Sequence, residues 1–224
     1  LLGAGRTAVS QSLYGEADVY FHGGVRNIEE KAFHGVFERW TEILNPVQHV
    51  HAEGSGVYEL IPWLQMAIQA DPHNVEAWIN AAYVTGGMGD RPDIALDLLQ
   101  EALRHNPRDH RLFAERGHIL LRHRDFAAAA TAFETGLQLW SEEASADVDA
   151  VRDRIRMLTF LSSAYEVLGE RAAALRTLRE LAALVPDPDR LAARIEALER
   201  GEDTRQQALD DLEAILRKPK TCGS

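Results

Sequence analysis

A chain of 224 residues with 46% apolar content is long enough for one or two domains with a sizeable core. Its formal net charge of −11 argues against nucleic acid as the main partner, because phosphate binding needs a basic surface. A single cysteine, Cys222 in the tail KPKTCGS, excludes an internal disulfide and reads as a solvated thiol, and no apolar run reaches the length of a membrane span.

The chain opens Leu-Leu-Gly-Ala-Gly-Arg rather than with Met. Two readings stay open: the trailing edge of an anchor helix flanked by Arg6, or an ordinary boundary. The compartment is accordingly either cytoplasmic or a membrane reached through a segment upstream of Leu1. Ala4 to Phe21 is expected to form a first amphipathic helix, with Val9, Leu13, Ala17 and Tyr20 on one stripe and Phe21 beside it, ended by Gly23-Gly24. A second helix is expected over Ile28 to Leu44, capped by Asn27 with Glu30 reaching back, and stopped at Asn45 by Pro46. Phe33, Val36, Phe37, Trp40 and Leu44 give it a heavy apolar face. The loop from Asn45 to Gly56 follows, and Pro62 places the next helix start close to Leu60, since proline is tolerated in a first turn; that helix ends at Ala70.

From Val75 the chain repeats itself. Val75 to Asp109 reads VEAWINAAYVTGGMGDRPDIALDLLQEALRHNPRD; His110 to Glu143 and Ile155 to Pro188 follow the same plan over 34 residues each, the first copy being one residue longer. Each has two apolar-periodic segments around a short turn. Between the second and third copies, Ser141 to Arg154 is expected to lengthen the flanking helices around a turn near Ala144–Ala146. After Pro188 two further helices, LAARIEALERG and TRQQALDDLEAILRK, are punctuated by Gly201, with apolar stripes at Leu191, Ile195, Leu198 and at Leu209, Leu212, Leu216. A fixed period of this length belongs to stacked helix-turn-helix units, each unable to bury its apolar face alone.

The pattern resembles the tetratricopeptide repeat family. That family has a bulky fourth residue, small eighth and twentieth residues, a large apolar twenty-fourth and Pro thirty-second. The first copy matches with Trp78, Ala82, Ala95, Leu99 and Pro107, one extra residue preceding Ala95; the second with Phe113, Gly117, Ala129 and Phe133, but Ser141 in place of Pro; the third with Leu158, Ser162, Ala174, Leu178 and Pro186. Leu60, Leu64, Ala67 and Pro72 match the second half of a divergent unit that begins near residue 28. The resemblance implies an all-α fold: a right-handed α-solenoid of tetratricopeptide-type repeats with extra helices at both ends. The chain then divides into N-terminal helices and a His-containing loop (1–57), the array (58–188), and C-terminal capping helices with a tail (189–224).

In the resembled family the first helix of each unit lines a concave groove. The matching positions here are Glu76, Ile79 and Tyr83; Arg111, Ala114, His118, Leu121 and Arg122; and Arg156, Thr159, Ser163 and Glu166. The implied function is a non-enzymatic scaffold holding a partner protein or peptide. Arg111, Arg122 and Arg156 are suited to bidentate contact with carboxylates, so acidic residues are expected in the partner, unless those arginines pair with Glu76, Glu115 or Glu166 instead. The Lys and Asn of the family's carboxylate clamp are lacking.

The other candidates for chemistry are histidines. His49 and His51 fall on one side of an extended loop, and with His22 and His34 they could hold a transition metal such as zinc if the loop folds back; otherwise they cap a helix and decorate a loop, and there is no cofactor. The aromatics Tyr14, Tyr20, Phe21, Phe33, Phe37 and Trp40 read as core at helical spacing, with self-association as the alternative. Enzyme signatures are poor: GGMGD is an inter-helix turn without the Lys-Ser/Thr of a phosphate loop, and GSG at Gly54–Gly56 is no nucleophile elbow.

Overall fold

The computed structural model describes residues 3–23, 60–140, 148–185 and 189–216. Among the described residues it is all-helical, with no strand. The helices are α1 (Gly3–Gly23), α2 (Leu60–Ala70), α3 (Val75–Ala82), α4 (Pro92–His105), α5 (His110–Arg122), α6 (Phe126–Leu139), α7 (Val148–Leu168), α8 (Arg171–Ala182), α9 (Asp189–Arg200) and α10 (Arg205–Leu216). None is long and apolar enough to cross a membrane. The expected second helix and the loop after it lie outside the described residues, as do Ala144–Ala146.

The fold is helical and repeat-like. α3 packs on α4, α5 on α6 and α7 on α8; each pair also meets the next, α4 on α5 and α6 on α7, and the first helices of neighbouring pairs touch, α3 with α5 and α5 with α7. The local chemistry repeats as well. The turn from first to second helix carries one left-handed residue in each pair: Asp90 (φ 54°), Arg124 (φ 60°) and Gly169 (φ 77°). Only the third has the glycine that such a φ favours. Asn74, Asp109 and Asp125 cap α3, α5 and α6, their side chains accepting from the amides of Ala77, Arg111 and Ala128. Pro72 and Asn106, one repeat apart, are joined directly: Asn106 Nδ2 donates to the Pro72 carbonyl at 3.0 Å, and Trp78 Nε1 donates to the same oxygen at 3.0 Å.

The extra residue of the first copy has a visible home. α3 continues as a π-helical turn, Tyr83–Met88, in which the Gly89 amide reaches back to the Val84 carbonyl at 2.9 Å. A π turn accommodates one inserted residue without breaking the helix. It also leaves Gly86 against α4, where a Cβ would lie 2.7 Å from that of Ala95.

Small and large residues alternate through the interior as the repeat pattern requires. Ala82, Ala95, Leu99, Ala129, Phe133 and Ala174 are wholly buried, and Trp78, Gly117, Leu158, Ser162 and Leu178 nearly so, while Phe113 is half-buried. α5 divides the core: Leu112 and Ile119 face the cluster built from α1 to α4, and Ala114, Leu120 and Leu121 face the cluster built with α6, α7, α8 and the terminal helices.

At the N-terminus the buried face of α1 differs from the expected stripe. Ala17 is almost wholly buried and Leu13 packs against the core, as expected, but Val9 is exposed and Ser10 wholly buried in its stead. Hydrogen bonding overrides apolar periodicity here: Ser10 Oγ donates to the Ala67 carbonyl at 2.7 Å and accepts from Asn74 Nδ2 at 2.9 Å. Arg6 donates to the carbonyls of Ala70 and Gln69, neutralising the C-terminal end of α2. Ser10→Ala strands the Asn74 amide and should cost about 1–3 kcal/mol in urea unfolding; an unchanged midpoint would mean α1 is held by apolar contact alone.

α7 is longer than its repeat position requires, whereas α6 ends at Leu139. Trp140 fastens the extension: its Nε1 donates to the Ala150 carbonyl at 2.9 Å, and the Arg154 guanidinium lies 4.5 Å from its ring centroid. α9 follows α8, and α10 turns back to lie on α7.

Candidate binding cleft

The first helices of the three pairs enclose an open cleft of about 560 Å³. Glu76 and Ile79 come from α3, Asp109 from the turn before α5, Arg111, Ala114, Glu115 and His118 from α5, and Asp149, Ala150, Asp153 and Arg156 from α7. Helical spacing explains the grouping: Asp149, Asp153 and Arg156 recur at intervals of four and three on α7, as do Arg111, Ala114 and His118 on α5.

Asp109 is the electrostatic hub. While its Oδ1 caps α5, Arg111 Nε donates to that same oxygen at 3.0 Å and Arg111 Nη2 donates to Oδ2 at 2.6 Å. Arg111 Nη1 also donates to Glu76. Burial pushes the Asp109 carboxyl up, but the hydrogen bonds and charge of Arg111 outweigh it and hold the group below its usual range. A carboxyl depressed in the folded chain stabilises it above the unfolded value and ceases to do so as pH falls through the lower folded value. Asp109→Asn should therefore flatten the acid-side loss of stability below roughly pH 4, read from urea midpoints across the acid range; parallel profiles for variant and parent would remove Asp109 from that role.

Two histidines complete the walls. His110 Nε2 lies 3.7 Å from Asp153 Oδ2, and His118 Nδ1 lies 3.4 Å from Glu115 Oε2. The His118 ring stands edge-on to Phe160, with centroids 4.8 Å apart, and is tilted against Phe133. The Nε2 atoms of both histidines are buried without a hydrogen-bond partner among the described residues. Five carboxylates thus face two guanidinium groups. One of those, Arg111, is held by two carboxylates, and the other, Arg156, has no ion-pair partner among the described residues.

The other expected groove residues are placed elsewhere. Tyr83 opens the π turn. Arg122 lines a second cleft, about 440 Å³, between that turn, the α5–α6 turn and α10, with Leu121, Phe126 and Leu212 among its apolar walls. Ser163 and Glu166 are buried. Ser163 Oγ donates to the Thr159 carbonyl, and both oxygens of Glu166 accept from Arg194 Nε at 2.9 Å while Thr204 donates to Oε2. Arg194 also pairs with Asp211, so α9 and α10 clasp the C-terminal half of α7.

Repeat register alone misses Asp109, His110, Glu115, Asp149, Ala150 and Asp153. Asp149 and Asp153 precede the third copy, and their i, i+4 spacing on a continued helix was the available signal. Of the candidate metal ligands, His22 falls in the last turn of α1, and His34, His49 and His51 lie outside the described residues. Among the described residues no three His, Cys, Asp or Glu side chains are grouped to hold a metal. Of the aromatics read as core, with a partner or self-association surface as the alternative, Tyr14 is half-buried and accepts from Asn80 Nδ2 at 2.8 Å; Phe33, Phe37 and Trp40 lie outside the described residues.

No protein-family model matches the chain, and no curated protein sequence matches it.

Proposed function

We propose that this protein is a non-catalytic interaction scaffold, a right-handed solenoid of tetratricopeptide-type repeats whose inner face receives a segment of a partner protein. The observation that carries the reading is the cleft itself. Glu76, Ile79, Arg111, Ala114, His118 and Arg156, residues that repeat register assigns to one face of the first helices of three successive pairs, line a single open volume. Its size lies within the usual range for binding clefts. The pairwise helix contacts and the left-handed residue in each inter-helix turn support stacked units. Rigid stacking keeps the lining side chains in place before a partner arrives, which lowers the ordering cost of association. In this reading the protein needs no cofactor.

The test is site-directed photocrosslinking in cell extract with a crosslinking amino acid at Arg156, which is exposed at the cleft, or at Gln100, which is exposed on α4 away from it. A discrete partner captured at position 156 and not at 100 is the expected result. Equal capture at both positions, or none at 156, would refute cleft binding.

A further inference from the structure

We infer that α10 is the chain's own occupant of a helix-binding seat, and that the partner received by the groove face brings an amphipathic helix that takes α10's place; this rests on the reading of that face as a binding surface. The repeat plan would put α10 elsewhere. In each of the three pairs the second helix packs on its first, whereas α10 makes no comparable contact with α9 and lies on α7 instead. Beneath it are groove positions by register. Counted from the start of each copy, the twelfth and thirteenth places are Gly86 and Gly87, Leu121 and Arg122, Glu166 and Val167. The first two pairs line the 440 Å³ cleft, whose other wall is α10, and Glu166 accepts from Thr204, the residue before α10. The 560 Å³ cleft is lined from earlier places of the same register, so one row of first helices has an open end and an occupied end.

What α10 presents defines the partner. Leu209, Leu212 and Leu216 face the cleft at intervals of three and four, the spacing of a helix laid in a groove. Charge does not select the occupant: Arg124 is answered by Glu213 at 3.3 Å, and Asp90 and Arg122 add one charge of each sign. The hold on α10 is slight. Of its 12 residues only Ala208 and Leu212 are buried. Its carboxylates paired to Arg194 and Arg124 are about half exposed, where ion pairs contribute little. Arg194 Nη2 is buried without a hydrogen-bond partner among the described residues. Leu209 and Leu216 are only half-buried and leave the cleft between them and α5 open. A helix with Phe at those two outer positions, Leu between them and a carboxylate beside that Leu for Arg124 would bury apolar surface that α10 leaves in water.

The experiment uses the full chain, ¹⁵N-labelled, and a blocked peptide of residues Arg205–Leu216 carrying Leu209→Phe and Leu216→Phe. Because α10 competes for the seat, the peptide's apparent affinity is reduced by the fraction of chains in which the seat is free. Leu212→Ala in the chain is therefore expected to tighten peptide binding about tenfold. Glu213→Arg, an exposed change that sets like charge beside Arg124 and spares the core, should tighten it about threefold. The amides of Gly87, Leu121 and Arg122 should shift, and those of Ile79 and Ala114 stay in place. Joining Arg124→Cys to Glu213→Cys with a short bismaleimide, in a Cys222→Ser background, holds α10 down and should abolish binding. The inference is overturned if the peptide binds parent, opened and cross-linked chains alike, or binds none of them. Photocapture at position 156 separates it from the reading beneath: a partner captured there, with the peptide bound by no chain, removes the helix seat and leaves cleft binding standing. No capture at 156 refutes cleft binding whatever the peptide does.

Discussion

Replacing Arg194 by Met is expected to destabilise the protein by about 3–5 kcal/mol, the range for removing one partner of a buried ion pair. The Glu166 side chain is 1% exposed and that of Arg194 11%, so the carboxylate left behind has no route to water. Thr204 alone would then serve it, where Arg194 Nε had contacted both oxygens. The double variant Glu166→Leu/Arg194→Met should recover most of the loss, because an apolar pair of similar volume avoids stranding a charge. Urea unfolding measures the magnitude. Hydrogen exchange locates it: amides of α9 and α10 should lose protection before those of α5 and α6. If the single variant were as stable as the parent, the Glu166–Arg194 contact would not be what fastens the terminal helices.

The second large effect is expected in the middle pair. Phe133 is wholly buried and lies against Phe160, with centroids 6.0 Å apart, so Phe133→Ala opens a cavity and should cost about 3–5 kcal/mol. Gly117 faces it, and a Cβ there would sit 2.5 Å from Phe133 Cε1. Gly117→Ala gains helix propensity of about 1 kcal/mol. The overpacking it forces costs typically 1–3 kcal/mol, so the net change should be destabilising. In the double variant the new methyl enters the space the ring vacated, and the total should fall short of the sum. Strict additivity in that cycle would show that the two sites do not share a packing constraint. The pair bears on function because Phe133 also supports the His118 ring, so loss of the ring should loosen one wall of the cleft.

Much of the helical plan was legible because it rests on local signals. Small residues at Ala82, Gly117, Ala95 and Ala129 and large ones at Trp78, Leu99 and Phe133 are spaced by the helix itself, and their burial follows from that spacing. The supernumerary residue of the first copy was also readable, though its solution as a π turn was not. What the sequence could not convey is which distant group answers a polar side chain. Ser10 broke the α1 stripe because its partners, Ala67 and Asn74, come from elsewhere in the chain. Glu166 sits at an inner-face position by register, but Arg194 and Thr204, on later segments, claim it. Arg111 left two readings open, a cation offered to a partner or an ion pair with Glu76; the structure shows the pair, and adds Asp109 from the turn before α5, which repeat register misses.

The clasp on Glu166 also bears on how the chain is made. On the ribosome α7 emerges before Arg194, so during that interval Glu166 lacks the cation that accompanies it in the finished fold. A nascent chain halted before that arginine would have to leave this stretch of α7 hydrated or bury an unaccompanied anion at substantial cost. Premature termination within α9 would thus carry its own mark of incompleteness, a helix with an apolar flank and a charge that keeps it from closing, a state open to chaperones and proteases until synthesis runs on.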